Sequence, residues 1–201
     1  MEDKIKVIKD YIPDAAIPLL KNYLKYWEFN LVIVKNRNTK HGDFRMLSEG
    51  VHQISVNNSA NPYRFLITII HEIAHLVAFK DFGYFIKPHG KEWKSCYQKL
   101  ITPFLKPEIF PQKLLDLLVH HFKNPKASTD SDFNLVIELN KFDPETEKNY
   151  IFELDLGTIF EIHNSRKFVL GSMRKKRYEC KEILTQRKYL FSPHAQVKKV
   201  K

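Results

Sequence analysis

Residues 71–75 read His-Glu-Ile-Ala-His, within an apolar run from Phe65 to Phe79 that has the length and content of a buried helix. An α-helix turns about 100° per residue, so His71 and His75 return to one face with Cβ atoms roughly 5–6 Å apart. Two imidazoles at that spacing can converge on one metal ion. Glu72 is offset around the helix, out of reach as a third ligand on the same stripe, and placed to take a proton from a water at the ion. Zinc lowers the pKa of such a water to about 7, which suits a carboxylate base. The pattern therefore points to metal-assisted hydrolysis.

The flanking residues argue that the pentapeptide sits mid-helix. Asn61-Pro62 supplies an N-cap followed by proline in the first turn. Tyr63 to Lys80 contains no Gly or Pro, and Gly83 stands just past the expected end. Three titratable side chains in so apolar a helix are costly to bury unless something pairs them, and a metal does so. A third ligand must come from elsewhere. His89 is the best placed: the stretch Tyr84 to Pro88 can double back, and His89-Gly90 stands at the entrance of a second helical run, Lys91 to Leu100. Glu92, one turn further, is the competing ligand, because some zinc hydrolases use two histidines and a glutamate. Three imidazoles favour zinc, one ion, over manganese or cobalt. His120-His121, at the end of an amphipathic run, read as a helix cap or solvated pair.

His71-Glu72-Ile73-Ala74-His75, the spacing to His89-Gly90-Lys91-Glu92-Trp93, and the upstream Arg37-Asn38-Thr39-Lys40-His41-Gly42-Asp43-Phe44-Arg45 resemble the SprT-like family, the Spartan-related zinc metalloproteases. The resemblance covers roughly residues 5–125. It implies that His71, His75 and His89 bind zinc, that Glu72 is the catalytic base, and that the substrates are proteins bound or crosslinked to DNA. Many members of that family carry a C-terminal ribbon with four zinc-binding cysteines. Here Cys180 is the one cysteine of the C-terminal region, and Cys96 the only other in the chain. One cysteine cannot build such a site, so this region either folds without metal or is a zinc-ribbon-like remnant lacking its ligands. Two cysteines without Cys-x-x-Cys spacing suit a reducing compartment.

The elements that must position these residues follow from periodicity. Lys4 to Trp27 has helical spacing broken around Pro13 and Pro18; Phe29 to Lys35, Gly42 to Met46 and Val51 to Asn57 read as short strands. After the motif helix come two further helices to about Phe122. Residues 123–132 lose the hydrophobic pattern and read as a linker. Short alternating runs follow: Asn134 to Leu139, Tyr150 to Leu154, Thr158 to Ile162, Lys167 to Leu170, Arg177 to Leu184 and Lys188 to Phe191. The expected fold is α+β: a small zincin-like metalloprotease domain over 1–122, helices plus a three-stranded sheet, then a basic β-rich domain over 133–201. Val51 to Val56 is expected to offer a free edge on which an extended peptide could pair. The group that stabilises the oxyanion is left open among Arg45, Tyr84 and Tyr97.

Charge divides the chain in the same place. The formal net charge of +10 lies entirely in residues 165–201, which hold 12 Lys/Arg against two Glu, while the remaining 21 bases and 21 acids cancel. Such concentration is the footprint of a polyanion binder, DNA above all. Arg174, Lys175, Lys176 and Arg177 are its densest point, with Lys181, Arg187 and Lys188 nearby, and Tyr178, Tyr189 and Phe191 as candidates to stack on unpaired bases. The alternative is a solvated strand face with a basic tail. The mixed-charge start, Met1-Glu2-Asp3-Lys4, carries no secretory signal, and the motif helix is too short and too polar at His71, Glu72 and His75 to span a bilayer. A cytoplasmic protein without membrane contact is expected, its oligomeric state unreadable. Three functions stay open: a zinc metalloendopeptidase acting on protein substrates near DNA, a non-proteolytic nucleic-acid-binding protein with a structural zinc, and a metal hydrolase of another substrate, since a fold and a zinc do not fix the scissile bond.

Overall fold

The structure, a computed structural model, describes residues 2–37, 40–48, 50–144 and 148–200. Met1, Lys201 and, from the upstream motif, Asn38 and Thr39 lie outside the described residues. The chain is α+β and divides into two compact units, 1–144 and 145–201.

In the first unit the expected N-terminal helix is two: α1, Glu2–Ile8, and α2, Ile17–Tyr26, joined by 3-10 turns at Lys9–Tyr11 and Asp14–Ala16. Extended backbone at Ile12 and Pro13 makes the break. Pro18 makes none, because it falls in the first turn of α2, where no intrahelical N–H is needed. Strands β1, Asn30–Val34, β2, Gly42–Ser48, and β3, Val51–Asn57, form a sheet in the order β1-β3-β2, parallel between β1 and β3 and antiparallel between β2 and β3. The expectation of a free edge on Val51–Val56 is thereby corrected. β3 is central and nearly all buried, as a strand paired on both sides and packed on one face must be, and the free edges belong to β1 and β2.

Helix α3, Pro62–Phe82, runs against this sheet. The Asn61 side chain accepts a hydrogen bond from the Arg64 N–H at 3.0 Å, and Gly83, at φ 77, ends the helix in a conformation that favours glycine. Twelve of its 21 residues are buried, on all sides, so it is the centre of the core rather than a surface helix. Helices α4, Lys91–Ile101, and α5, Gln112–Phe122, complete the packing through Trp93, Tyr97, Leu114 and Leu118.

The expected boundary does not hold. Residues 129–131 form a 3-10 turn, and Phe133–Asn140, within the expected β-domain, form helix α6 in the first unit. Asn134 to Leu139 holds three apolar residues in a row, a pattern short enough to fit either period; burial of Leu135, Val136 and Leu139 on one side settles it as helical. The polar run before it is cap chemistry rather than linker. Ser128 Oγ accepts from the Asp130 N–H at 3.1 Å, and Asp132 caps α6 through the Leu135 N–H. Asn61 Nδ2 then donates to Leu139 O and Asp143 Oδ1, both at 2.7 Å, tying α6 to the start of α3.

The second unit is a six-stranded antiparallel sheet: β4, Asn149–Tyr150, β5, Ile159–Glu161, β6, Lys167–Arg174, β7, Arg177–Glu182, β8, Lys188–Phe191, and β9, Gln196–Lys199, in the order β4-β9-β5-β6-β7-β8. Of the expected Tyr150–Leu154 strand only the start survives, since Ile151–Glu153 curl into a 3-10 turn. β9 has a single apolar residue, Val197, and no alternation from which to read a strand. A small core of Ile151, Phe160, Phe168, Leu170, Cys180 and Val197 holds the unit together. No helix among the described residues is long and apolar enough to cross a membrane.

Candidate metal centre

Helix α3 presents His71 and His75 one turn apart, and the loop after Gly83 returns the chain so that His89 meets them. His89 adopts a left-handed φ of 56°, which swings its side chain back toward α3 just before Gly90 caps α4. Glycine is required there: a Cβ on Gly90 would stand 2.8 Å from Lys87 O. The three Nε2 atoms form a triangle with sides of 3.1 Å for His71 to His75, 3.0 Å for His75 to His89 and 3.3 Å for His89 to His71. Trp93, fully buried, lies under all three rings with centroids 4.7, 5.2 and 4.6 Å away. The indole fixes the imidazole planes by packing.

This triangle fits a metal. Nitrogens about 2.0–2.1 Å from one tetrahedral zinc stand about 3.3 Å apart. Hydrogen bonding cannot explain it: an imidazole nitrogen is either a donor or an acceptor, and three atoms of two kinds always include two alike. Burial keeps the rings neutral, with lone pairs available. It lowers His71 to about 2, helped by His75, His89 and His41, and His75 to about 4, helped by His89, and it lowers His89 as well. Neutral imidazole is the form a metal takes. Among the described residues these three are the only cluster of His, Cys, Asp or Glu side chains close enough to share an ion. Glu92, the rival ligand, stands outside it, its carboxylate beside Lys91 at 3.8 Å in the first turn of α4.

Glu72 is buried on the adjoining side of α3, in the same cleft as the triad. Burial pushes its carboxyl up to about 8, with Asp43 adding to this, while Arg37, Lys40 and a hydrogen bond from the Phe44 backbone N–H pull it down. A carboxylate in such a place gains from a nearby cation. Gly42, at the start of β2, lies against it so closely that a Cβ there would come within 2.7 Å of Glu72 Cγ and 2.8 Å of Thr68 Cγ2. The cleft measures about 480 Å³, and its walls are the triad and Glu72 on one side, residues 40–44 on another, and residues 126–130 on a third. That last wall is part of the segment read from sequence as a linker. No spacing could have revealed it, since Asp130 meets His41 across 89 positions of sequence.

Other expected residues are brought elsewhere. Tyr97 is buried with its hydroxyl donating to Ile67 O at 3.2 Å, Arg45 pairs with Asp43, and Tyr84 is exposed against Phe79, so none of the three faces the triad as an open donor. His121 is not solvated: it is buried, Nδ1 against Asp132 Oδ2 at 3.4 Å, and only His120 faces solvent. In the second unit Arg174, Lys175, Lys176 and Arg177 form the tip of the β6–β7 hairpin, with Lys175 at φ 55°. Arg174, Arg177, Lys181 and Lys188 share the exposed face of the sheet, Lys181 directly opposite Lys188, with Glu179 pairing to Arg174 at 3.0 Å and Lys188 at 2.8 Å. Arg187 is exposed in the β7–β8 turn. Tyr178, Tyr189 and Phe191 lie on the opposite face, half-buried against the core, because strand alternation sets them apart from the exposed lysines.

Residues 29–109 match the model of the SprT-like family. This segment is a SprT-like domain. It contains the whole triad, Glu72 and the three-stranded sheet. The chain is also 28% identical over 98 residues, 48% of its length, to Protein SprT of Cronobacter sakazakii. The match spans 56% of that protein, about half its length. No solved structure matches the chain. The SprT-like domain ends before α5 and α6, so the 126–130 wall of the cleft lies beyond the matched segment.

Proposed function

We propose that the protein is a zinc metalloendopeptidase, with His71, His75 and His89 holding one Zn²⁺ and Glu72 as the catalytic base. The convergence of three neutral imidazole nitrogens within 3.3 Å of one another, in one cleft with a buried carboxylate, carries this reading. Bound zinc would supply Lewis acidity, acidifying water and drawing electrons from a carbonyl. Glu72 takes a proton as water oxygen bonds to the peptide carbonyl carbon, and returns it to the amide nitrogen as the C–N bond breaks. The free edge of β2 begins at Gly42–Phe44 in the cleft wall, so an extended substrate can pair with it through backbone alone. Recognition of this kind has little sequence preference.

Choice of substrate then falls to the second unit. The cationic face of Arg174, Arg177, Lys181 and Lys188, with Lys175, Lys176 and Arg187 at the turns, supports binding to DNA, so that the substrates are proteins bound or crosslinked to it. Covalent linkage of the two units raises the local concentration of such proteins at the cleft. The free, buried Cys96 and Cys180 support a reducing compartment, the cytoplasm. Glu72→Gln tests the reading: zinc content should stay at one per chain while cleavage of DNA-bound protein falls about 10²–10⁴-fold. Equal inertness of wild type and Glu72→Gln, with DNA binding intact, would instead favour a non-proteolytic binding protein with a structural zinc.

A further inference from the structure

The cleft holds a hydrogen-bonded pair, His41 and Asp130, that the metal and its base leave unused. His41 immediately precedes Gly42, and its side chain lines the same cleft as the triad and Glu72. That backbone is pinned. The Asn57 N–H donates to His41 O at 2.8 Å, and Asn57 Nδ2 donates to Lys40 O at 2.8 Å and Arg37 O at 3.2 Å. His41 Nε2 meets Asp130 Oδ2 at 2.9 Å, and the other oxygen of Asp130 accepts from Arg64 Nη1 at 3.4 Å. Burial alone would raise the Asp130 carboxyl; His41, Arg64 and Ser128 outweigh it and hold the group below the usual carboxylate range. It is therefore an anion at neutral pH and a fixed acceptor for His41 Nε2–H.

Most other donors of the cleft are committed. Tyr97 and Thr68 donate to Ile67 O and Arg64 O, Lys40 pairs with Asp43, and Arg37 is held through Nε and Nη1 by Asn57 and Ser55, which leaves its Nη2 buried and without a partner among the described residues. Lys126 is a cation on a long stem with no partner to fix it among the described residues. His41 differs from all of these. Its side chain is 44% exposed, one nitrogen is fixed by a carboxylate, and Nδ1 has no partner among the described residues.

Resting on the peptidase reading, we propose that His41 is a catalytic residue and Asp130 its positioning residue. His41 Nδ1–H donates to the scissile carbonyl oxygen as that oxygen gains negative charge. His41 gives up no proton in the step. When the C–N bond breaks, the electron pair on oxygen reforms the carbonyl, and the amine nitrogen takes its proton from Glu72. A donor realised in the transition state acts on kcat rather than KM, and loss of one such donor costs about 10²–10³-fold.

The test uses the full chain loaded with zinc. In a Glu72→Gln background, which prevents turnover, affinity is measured for a peptide and for the phosphinic peptide of the same sequence, whose tetrahedral centre carries the anionic oxygen. His41→Ala should weaken the phosphinic peptide about 10²-fold or more, leave the ordinary peptide within about threefold, and in the active protein lower kcat with KM nearly unchanged. Asp130→Asn should shift the same ratio in the same direction by less. Equal weakening of both peptides, together with faster hydrogen exchange over residues 123–132, would make the pair a mere clamp on that wall and overturn the proposal. Cleavage unchanged in His41→Ala would overturn it while leaving the peptidase intact. A wild-type protein that binds neither peptide would overturn both readings.

Discussion

On the peptidase reading, Gly42→Ala probes the placement of the proposed base Glu72 without replacing it or any of the three histidines. Gly42 lies in β2 at a backbone conformation open to any residue, so the added methyl acts through volume alone. Built on the present backbone, it would stand 2.7 Å from Glu72 Cγ and 2.8 Å from Thr68 Cγ2, with Glu72 Oε1 nearer still. Carbon atoms pack best at about 3.5–4.0 Å, so the Glu72 side chain must retreat by roughly 0.8–1.3 Å. Thr68, on the next turn of the same helix and bonded to Arg64 O, cannot yield as easily. A misplacement of about 1 Å costs on the order of 10²-fold in rate. Overpacking should also destabilise the first unit by about 1–3 kcal/mol. The triad is on the other side of α3's carboxylate, so zinc content should be unchanged. Steady-state cleavage, with metal analysis and urea unfolding of the same preparation, gives all three numbers. Activity within threefold of wild type, in a folded and metal-replete protein, would refute the assignment of Glu72 as the positioned base.

Three further outcomes follow from the same geometry. His89→Ala leaves two imidazoles and should weaken zinc binding by more than the 10–100-fold that goes with losing an outer-shell partner, read by competition with a chelator. Asn61→Ala removes the α3 cap and the donor to Leu139 O, and should cost the first unit about 2–4 kcal/mol by urea unfolding, a cap of about 1 kcal/mol plus an unsatisfied carbonyl of about 1–3. Glu182 is held down to about 2 by hydrogen bonds from Arg166, at 2.6 Å, and then from Thr185. Its folded value lies below the unfolded one of about 4.3, so its contribution is complete above about pH 5 and is lost as pH falls toward 2. Hydrogen exchange of β6 and β7 should accelerate over that window, and Glu182→Gln should flatten the dependence.

What the sequence determined by itself was local. The spacing of His71, Glu72 and His75, the Asn61-Pro62 entry and the Gly83 exit are each set within a few helical turns, where the 3.6-residue period and cap chemistry act directly. His89 and Gly90 were legible because a short loop leaves few ways to bring a third imidazole back to α3. The concentration of charge in residues 165–201 needs no fold at all to be counted. Tertiary structure decided the rest. Only pairing across the sheet made β3 central and left β2 as the edge beside Glu72. Only burial made Phe133–Asn140 a helix of the first unit, since eight residues of mixed pattern satisfy either period. Strand alternation, invisible until the register is known, turned Tyr178, Tyr189 and Phe191 inward while leaving the cations out. The meeting of His41 with Asp130 belongs to the same class: polar residues that cap turns look like linker in one dimension, and what they wall off depends on contacts made between distant parts of the chain.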